Sequence, residues 1–185
     1  MPDTALTDAE RRRLLLIARA AITEAAAKGH ASTPTGSVER LREPGAVFVS
    51  LHAHGDLRGC IGSTAARLPL DEAVAQAACD AALHDPRFPP LMPHEVAGVE
   101  IEISVLSPFL DVAADAVESG IVIGRDGVMI TRDFARGLLL PQVASSRNWS
   151  VTQFLDETCR KAGLPAGAWR EGARIQVFSA EIFGE

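Results

Sequence analysis

The sequence predicts an α+β fold with a largely antiparallel sheet and about three helices. Three stretches repeat their apolar residues at helical spacing, and six or seven short runs carry the apolar or alternating pattern of strands. Several of these runs are joined by short turn signals, which are typical of hairpins and not of parallel crossovers. The 185 residues suit a single compact domain over 1–185, with two lobes as an option.

Composition narrows the class of protein. Hydrophobic residues make up 47% of the chain and charged residues 23%, which is ordinary for a globular protein. The net charge of −6 argues against a regulator that binds nucleic acid through its phosphates, because such proteins usually carry a basic face. The chain begins with a polar stretch unlike a signal peptide, and no run approaches the roughly 18 apolar residues of a membrane span. These features predict a soluble cytoplasmic protein with no membrane partner.

The three cysteines, Cys60, Cys79 and Cys159, are odd in number and widely spaced. No Cys-x-x-Cys pair is present, so the pattern supports neither a zinc ribbon nor a disulfide framework. We predict no metal and no cofactor from these residues.

The first helix and the first hairpin are predicted from local signals. Thr7 to Glu10 reads as a capping box, apolar residues recur at helical spacing to Ala25, and Gly29 is a plausible stop before a loop over His30 to Ser37. Ala46 to Leu51 and Leu57 to Ile61 then form two strands of a hairpin.

The hairpin register decides what faces Cys60. A two-residue loop at Gly55-Asp56 pairs Leu51 with Cys60 and turns His52 and His54 away from Cys60 and Arg58. A three-residue loop with a bulge reverses this arrangement.

The middle of the chain predicts a helix and a strand. Asp71 stands where an N-cap belongs, before an alanine-rich helix over Glu72 to Leu83. The proline-rich segment His84 to Pro90 ends that helix. Val99 to Val105 alternates strictly and predicts a half-buried strand.

The last third of the chain predicts a second hairpin, a helix and a closing strand. Asp126-Gly127 reads as the turn between Ile121–Ile123 and Val128–Ile130. A short strand is predicted over 137–141. Ser150 opens a capped helix that Gly163 ends, and 174–183 predicts the final strand.

The first hairpin carries the densest chemical signal. Gly59 and Gly62 flank Cys60, and glycine in a strand often marks a close approach of another backbone or a ligand. In a regular strand Arg58 faces the same way as Cys60, and its guanidinium would favour the thiolate. The alternative interpretation is that Cys60 is a small buried hydrophobe.

Two further groups of polar residues are candidates for a site. Asp85 and Arg87 could orient a substrate or clamp an anion, or they could staple a turn whose Phe88 enters the core. His52 and His54 are two residues apart, as in some metal sites, but no third ligand can be named, so we interpret them as exposed polar residues.

Six ordered blocks of this sequence resemble the AMMECR family. Its hallmark hexapeptide is matched by Leu57-Arg58-Gly59-Cys60-Ile61-Gly62. The other blocks follow in order and are 81–91, 102–107, 123–128, 136–143 and the residues from Trp149 to Trp169.

The resemblance implies the compact α+β fold of that family, often described as two lobes, and a functional hexapeptide. It points to Arg58, Gly59, Cys60 and Gly62 as site residues, with Asp85, Arg87 and Phe88 from the second block beside them. Family members are commonly associated with a Memo-type protein and a radical SAM protein, so these two are the expected partners. The hypotheses are an enzyme or enzyme component, a non-catalytic docking module, and, against the charge, a nucleic-acid-binding regulator.

Overall fold

The structure, a computed structural model, describes residues 5–36, 38–113 and 116–185. The chain forms two compact units, which are Met1–Leu106 with Glu181–Glu185 (unit 1) and Ser107–Ala180 (unit 2). Antiparallel strand pairs in both units and three long helices confirm the α+β prediction. The single domain over 1–185 stays a prediction, and the end of the predicted loop at Ser37 lies outside the described residues.

Unit 1 contains two long helices. Helix α1, Asp8–Lys28, begins at the predicted capping box, in which Thr7 and Glu10 bond each other's backbone N–H groups, and ends at Gly29 in the left-handed conformation (φ 81°). Helix α2, Leu70–Leu83, begins two residues before the predicted start. The prediction of Asp71 as N-cap is wrong, because Pro69 occupies that position and the Asp71 carboxylate accepts the adjacent Glu72 N–H at 2.8 Å.

The sheet of unit 1 has the strand order β2-β1-β3. Its strands are β1 (Ala46–Ala53), β2 (Asp56–Ser63) and β3 (Val99–Leu106), and the end of the last strand of the chain lies next to β3. The apolar residues of β1 and β3 alternate, so that one face of the sheet meets α1 and α2 in a continuous core. The fully buried members from these two strands are Val47, Val49, Leu51, Ile101 and Ile103.

The structure decides the register of the first hairpin, for which the sequence allows two alternatives. The turn residues are His54 (φ 55°) and Gly55 (φ 85°), one position earlier than expected, and Ala53 pairs with Asp56. A bulge follows, because Leu51 pairs with Gly59 while His52 pairs with Leu57, which leaves Arg58 as the extra residue. Of the two facings that the sequence left open, the structure therefore has the one expected from a bulge, in which Cys60 pairs with Ser50 and shares a face with His52.

Unit 2 is built on strands β5 and β6 and on the last strand of the chain. Its elements are β4 (Leu110–Asp111), α3 (Val117–Gly120), β5 (Asp126–Arg132), β6 (Ala135–Leu139), α4 (Pro141–Ser146), α5 (Val151–Lys161) and β7 (Arg174–Gly184), the last of which enters unit 1 at Glu181. Strand β5 lies between β6 and β7, and β4 pairs with β7. The capping box at Ser150 and the left-handed Gly163 (φ 76°) are confirmed at the ends of α5.

The predicted turn at Asp126-Gly127 is wrong. Both residues lie inside β5, and Gly127 faces Phe178 so closely that a Cβ atom there would approach its ring to 2.3 Å. Residues 121–123 form no strand, and the second hairpin is β5–β6, with its turn at Asp133-Phe134. The strand predicted over 137–141 ends at Leu139, because Pro141 begins α4.

In the described part of the chain, no helix has the length and apolar character needed to cross a membrane.

Candidate functional site

The bulge at Arg58 decides which way Cys60 faces. Since Leu51 pairs with Gly59, Cys60 pairs with Ser50, whose side chain lies on the sheet face opposite the core. If Arg58 were paired with Leu51 in a regular ladder, Cys60 would pair with the fully buried Val49 and point into the core. The bulge thus turns the cysteine of the hexapeptide out of the core.

The Cys60 thiol is half-buried and has a hydroxyl group next to it. The Ser50 hydroxyl donates a hydrogen bond to the Cys60 sulfur at 3.3 Å. Cys79 and Cys159 differ from Cys60, because both are buried and their burial raises the pKa of each thiol. Among the three cysteines, Cys60 is therefore the most accessible.

The backbone of Cys60 is clamped by Asp85 and Arg87. The Cys60 N–H donates to the Asp85 carboxylate at 2.8 Å, and the Arg87 guanidinium donates to the Cys60 carbonyl at 3.2 Å. The carboxylate also accepts two bonds from the Arg87 guanidinium, at 2.6 and 2.9 Å. Asp85 and Arg87 therefore occupy the outward-facing backbone groups of β2 at Cys60, where a further strand would otherwise pair.

Asp85 and Arg87 each stabilise the charged form of the other. Asp85 is only 3% exposed, and the hydrogen bonds from the Arg87 side chain, and then from the Cys60 and Arg87 N–H groups, hold the pKa of its carboxyl far below the usual range. Asp85 raises the pKa of Arg87, and the Cys60 side chain contributes to that rise. The guanidinium that bonds Cys60 is therefore that of Arg87, and it does so through the Cys60 carbonyl.

Phe88 completes the turn that carries the clamp. Its N–H donates to the Asp85 carbonyl at 3.1 Å, and its half-buried ring lies 5.4 Å from the Arg87 guanidinium carbon. That distance suits a cation–π contact, which restricts the guanidinium further.

Arg58 forms a separate contact on the same hairpin. Its guanidinium bonds the Glu95 carboxylate at 3.1 and 3.2 Å and the Pro89 carbonyl at 2.9 Å. The Arg58 hydrogen bond is the main cause of the lowered pKa of Glu95, with the Met92 N–H next. Arg58 thus ties the bulge to the segment after the clamp, while Arg87 is the cation next to Cys60.

The two glycines of the hexapeptide are needed for packing. A Cβ atom at Gly59 would come within 2.2 Å of the Ala81 carbonyl oxygen in α2, and one at Gly62 would come equally close to the Val47 carbonyl oxygen in β1. Both neighbours are backbone atoms that cannot move aside cheaply. The close backbone approach that glycine in a strand suggests is therefore present at both positions.

The two histidines of the hairpin lie in different settings. His52 shares the outer face with Ser50 and Cys60, between Leu57 of β2 and Glu100 of β3, and His54 lies in the turn. Over residues 5–36, 38–113 and 116–185, no group of three or more His, Cys, Asp or Glu side chains is placed to hold a metal ion.

The sequence reasoning missed two residues of this region. Ser50 carries no motif, and a correct register is the signal that would place it opposite Cys60. Glu95 lies in a segment with no strong pattern, and only the long-range bond to Arg58 identifies it.

The fold and site define an antiparallel α+β protein with an outward-facing edge cysteine held by an Asp–Arg pair. The AMMECR1 family model matches residues 15–183, and the chain belongs to the AMMECR1 family.

Relatives and one solved structure agree with this assignment. A protein of Methanothermobacter thermautotrophicus is 41% identical over 181 residues, covering 95% of this chain and 94% of the relative. Protein PF1979 of Pyrococcus furiosus is 40% identical over 181 residues, covering 93% of this chain and 86% of the relative. The crystal structure of the uncharacterized protein PH0010 from Pyrococcus horikoshii matches with a TM-score of 0.91 and 38% identity, covering 97% of this chain and 93% of that one.

Proposed function

We propose that this protein is an enzyme or enzyme component in which Cys60 supplies a reactive thiol. The observation that carries the proposal is the half-buried Cys60 thiol, which accepts a hydrogen bond from the Ser50 hydroxyl and belongs to a residue whose carbonyl is bonded by the Arg87 guanidinium. An accessible thiol can act as a nucleophile, which the two buried cysteines cannot do without local opening of the fold.

Each site residue has a distinct role in this proposal. Cys60 is the nucleophile or transient acceptor, and Arg87 stabilises negative charge on the sulfur or on an anionic substrate. Asp85 is a positioning residue, because it holds both the Arg87 guanidinium and the Cys60 backbone. Arg58, Gly59, Gly62 and Phe88 fix the shape of the hairpin and of the clamp turn.

The chemistry proposed for Cys60 is acyl transfer. The thiolate attacks an acyl carbon, a C–S bond forms, and the bond to the leaving group breaks. The leaving group takes up the proton that the thiol released, so the step needs no oxidant or reductant.

We further propose that the protein acts with a Memo-type protein and a radical SAM protein. Family membership supports this, since family members are commonly associated with both. The test is a binding assay that uses the purified Memo-type and radical SAM proteins from the same genome.

The first experiment is alkylation of the folded protein with iodoacetamide, followed by peptide mass spectrometry. We expect Cys60 to react at least about tenfold faster than Cys79 and Cys159, which are buried internal controls. Arg87→Met should slow Cys60, and the matched variant Arg58→Met should leave its rate within about twofold. A Cys60 that reacts only after unfolding would overturn the proposal.

A docking module is the second candidate function. Two apolar side chains near the hexapeptide hairpin are exposed, Leu57 by 38% and Met92 by 52%. Both adjoin the Arg58–Glu95 contact, since Leu57 precedes Arg58 and the Met92 N–H donates to Glu95 at 2.8 Å. Exposed apolar residues at one place are typical of a surface that binds another protein.

Two sets of variants separate the candidates. If the protein is an adaptor, Cys60→Ser keeps partner binding and partner activity, and Leu57→Asp with Met92→Asp loses both. If the protein is the proposed enzyme, Cys60→Ser keeps binding and loses the reaction.

A further inference from the structure

A groove with a volume of about 300 Å³ opens in unit 1 between the second half of β2 and helix α2. The segment that leads from β2 into α2 forms its third wall, and a hydrogen bond from the Gly45 N–H to the Leu68 carbonyl at 3.1 Å holds that segment in place. The groove is the size of a small molecule, at the lower end of the range for ligand pockets. Its apolar lining is formed by Val47, Ile61, Ala65, Leu68, Ala73 and Ala77.

The groove lies on the sheet face opposite to the Cys60 thiol. Side chains alternate along β2, and Ile61 pairs with the fully buried Val49, so Ile61 points toward α2 and Cys60 points away from it. Ala73 and Ala77 are four positions apart on one face of α2, and their short side chains leave the space open. A ligand in this groove would therefore bury apolar surface away from the thiol.

The lining of the groove includes a positive charge at one end and a negative charge at the other. Arg67 lies in the segment before α2, and its guanidinium forms no ion pair or hydrogen bond within the described residues. Asp80 lies near the end of α2, about 15 Å along the helix axis from Leu70 at a rise of about 1.5 Å per residue. The Asp80 carboxylate already contacts Gln76 Nε2 at 3.0 Å and His84 Nδ1 at 2.8 Å. The cation is thus free to bind a ligand, whereas the anion is occupied.

These features define the kind of ligand that complements the groove. Burial of an apolar tail over the two alanines supplies most of the affinity. The free guanidinium of Arg67 selects a carboxylate, because its N–H groups match the geometry of the two carboxylate oxygens. The Asp80 carboxylate disfavours a second negative charge at the far end of the groove. The complementary ligand is therefore a monocarboxylate with an apolar tail.

We propose that this groove binds a short-chain fatty acid, such as hexanoate. The carboxylate pairs with the Arg67 guanidinium, and the tail lies over Ala73 and Ala77 with its methyl end toward Asp80. The proposal concerns binding alone and does not depend on the chemistry of Cys60, whose thiol is on the other face of the sheet.

The test is a titration of the ¹⁵N-labelled full chain with sodium hexanoate at constant ionic strength, followed by NMR. We expect saturable shifts of the Ala65, Ala73 and Ala77 amide signals, with a dissociation constant of about 1 mM, which suits a ligand of this size. Acetate, which lacks the tail, should bind at least about thirtyfold more weakly. No saturable shift at these three alanines, or equal binding of acetate and hexanoate, would overturn the proposal.

Two probes with the same carbon chain test the role of charge. Hexanamide, which keeps the tail and lacks the charge, should bind about fivefold more weakly than hexanoate. Adipate, which adds a second carboxylate at the far end, should bind at least about tenfold more weakly, because that charge would lie among apolar side chains and approach Asp80. Equal binding of adipate and hexanoate would contradict the proposed orientation. Tighter binding of the tripeptide Ala-Ala-Leu than of hexanoate would assign the groove to a peptide terminus and overturn the fatty-acid proposal.

One pair of variants tests the contact with the carboxylate. Arg67→Met should weaken the binding of hexanoate about fivefold and leave that of hexanamide unchanged. Arg12→Met is the matched control, since Arg12 is an exposed arginine of α1 that also has no partner within the described residues, and it should change neither. Equal effects of the two variants on hexanoate would mean that the carboxylate does not bind at Arg67.

A second pair of variants tests whether the tail occupies the groove. Ala73→Phe should fill the groove and abolish binding, and Ala26→Phe, at a similarly half-buried position of α1, should leave it unchanged. Ala65→Leu narrows the groove from its rim and replaces Ala73→Phe if that variant does not fold. Cys60→Ser should bind as well as the wild type, so failure of the thiol chemistry and failure of this proposal remain distinguishable. Unchanged binding in the groove-filling variants would contradict the inference.

Discussion

In each of the two hairpins of this protein, a glycine packs against the backbone of a helix. The hairpins differ in the polar contacts that surround that glycine. In unit 1, Gly59 of β2 lies against the backbone of α2 at Ala81. In unit 2, Gly137 of β6 lies against the backbone of α5, where a Cβ atom would come within 2.4 Å of the Ala162 nitrogen. In both units a glycine on an edge strand allows close contact with a helix backbone, so packing alone explains these two glycines.

Each unit also contains a buried aspartate that bonds a nearby arginine. The two aspartates differ in the backbone group that each one also bonds. Asp126 accepts bonds from Arg125 at 2.7 and 2.8 Å and from the Val122 N–H at 2.8 Å, which closes a local turn. Asp85 reaches the N–H of Cys60, which is distant in sequence and lies on the open edge of a strand. The long-range clamp on an outward-facing cysteine is what sets the first hairpin apart.

The largest expected effect is a loss of stability when either of the two closely packed glycines, Gly59 or Gly137, is replaced. Gly59→Ala and Gly137→Ala should each lower the free energy of unfolding by about 3 kcal/mol, because a methyl group would overlap backbone atoms. Chemical denaturation measures both, and Gly98→Ala is the control, since a Cβ atom there meets nothing within 4 Å. A change below about 0.5 kcal/mol at Gly59 would show that α2 can shift, and would leave the glycine of the hexapeptide without a packing explanation.

The second prediction separates the two aspartates. Asp85→Asn should cost about 2 kcal/mol at pH 7, because it weakens charge-assisted hydrogen bonds of a buried group. The pKa of Asp85 is lowered in the folded protein, so near pH 3–4 the unfolded state binds more protons and stability falls as the pH falls. The difference between wild type and variant should therefore be full above about pH 5 and shrink on acidification toward the folded pKa.

Asp126→Asn is the matched control for this comparison. Its carboxyl also has a lowered pKa, so its stability profile should have the same sign. Only Asp85→Asn should change the rate at which iodoacetamide labels Cys60. If Asp126→Asn changes that rate equally, the clamp has no special relation to the thiol.

The contrast between the hairpins also shows what the sequence could predict. Both capping boxes, at Thr7 and Ser150, use only bonds within one helical turn, and both were predicted correctly. Asp126-Gly127 failed as a turn because Gly127 is selected by a long-range contact with the ring of Phe178, while the bonds of Asp126 to Arg125 and Val122 close a turn before it. Local composition cannot distinguish such a glycine from a turn glycine.

In the candidate site, too, the sequence identified the residues but not their relative orientation. The residue pattern and the family resemblance both pointed to Cys60, Asp85 and Arg87, but the direction in which Cys60 faces depends on a single inserted residue in β2. A strand register is set by the turn and by packing against α2, so the spacing of two residues cannot by itself decide which side chains meet.

The smallest expected effect is the loss of stability when an arginine that bonds a carboxylate through two nitrogens is replaced by lysine. Two such arginines differ in solvent exposure. Arg58 is 13% exposed and bonds Glu95, whereas Arg174 of unit 2 is 62% exposed and bonds Asp111. Arg58→Lys should lower the free energy of unfolding by about 0.5–1 kcal/mol, because lysine cannot reproduce the paired bonds or the bond to Pro89. Arg174→Lys should show no measurable change, since water screens that pair. Equal effects in denaturation experiments would mean that the partly buried contact at the bulge contributes no more than a surface pair, and that the bulge is held by the turn and the glycine alone.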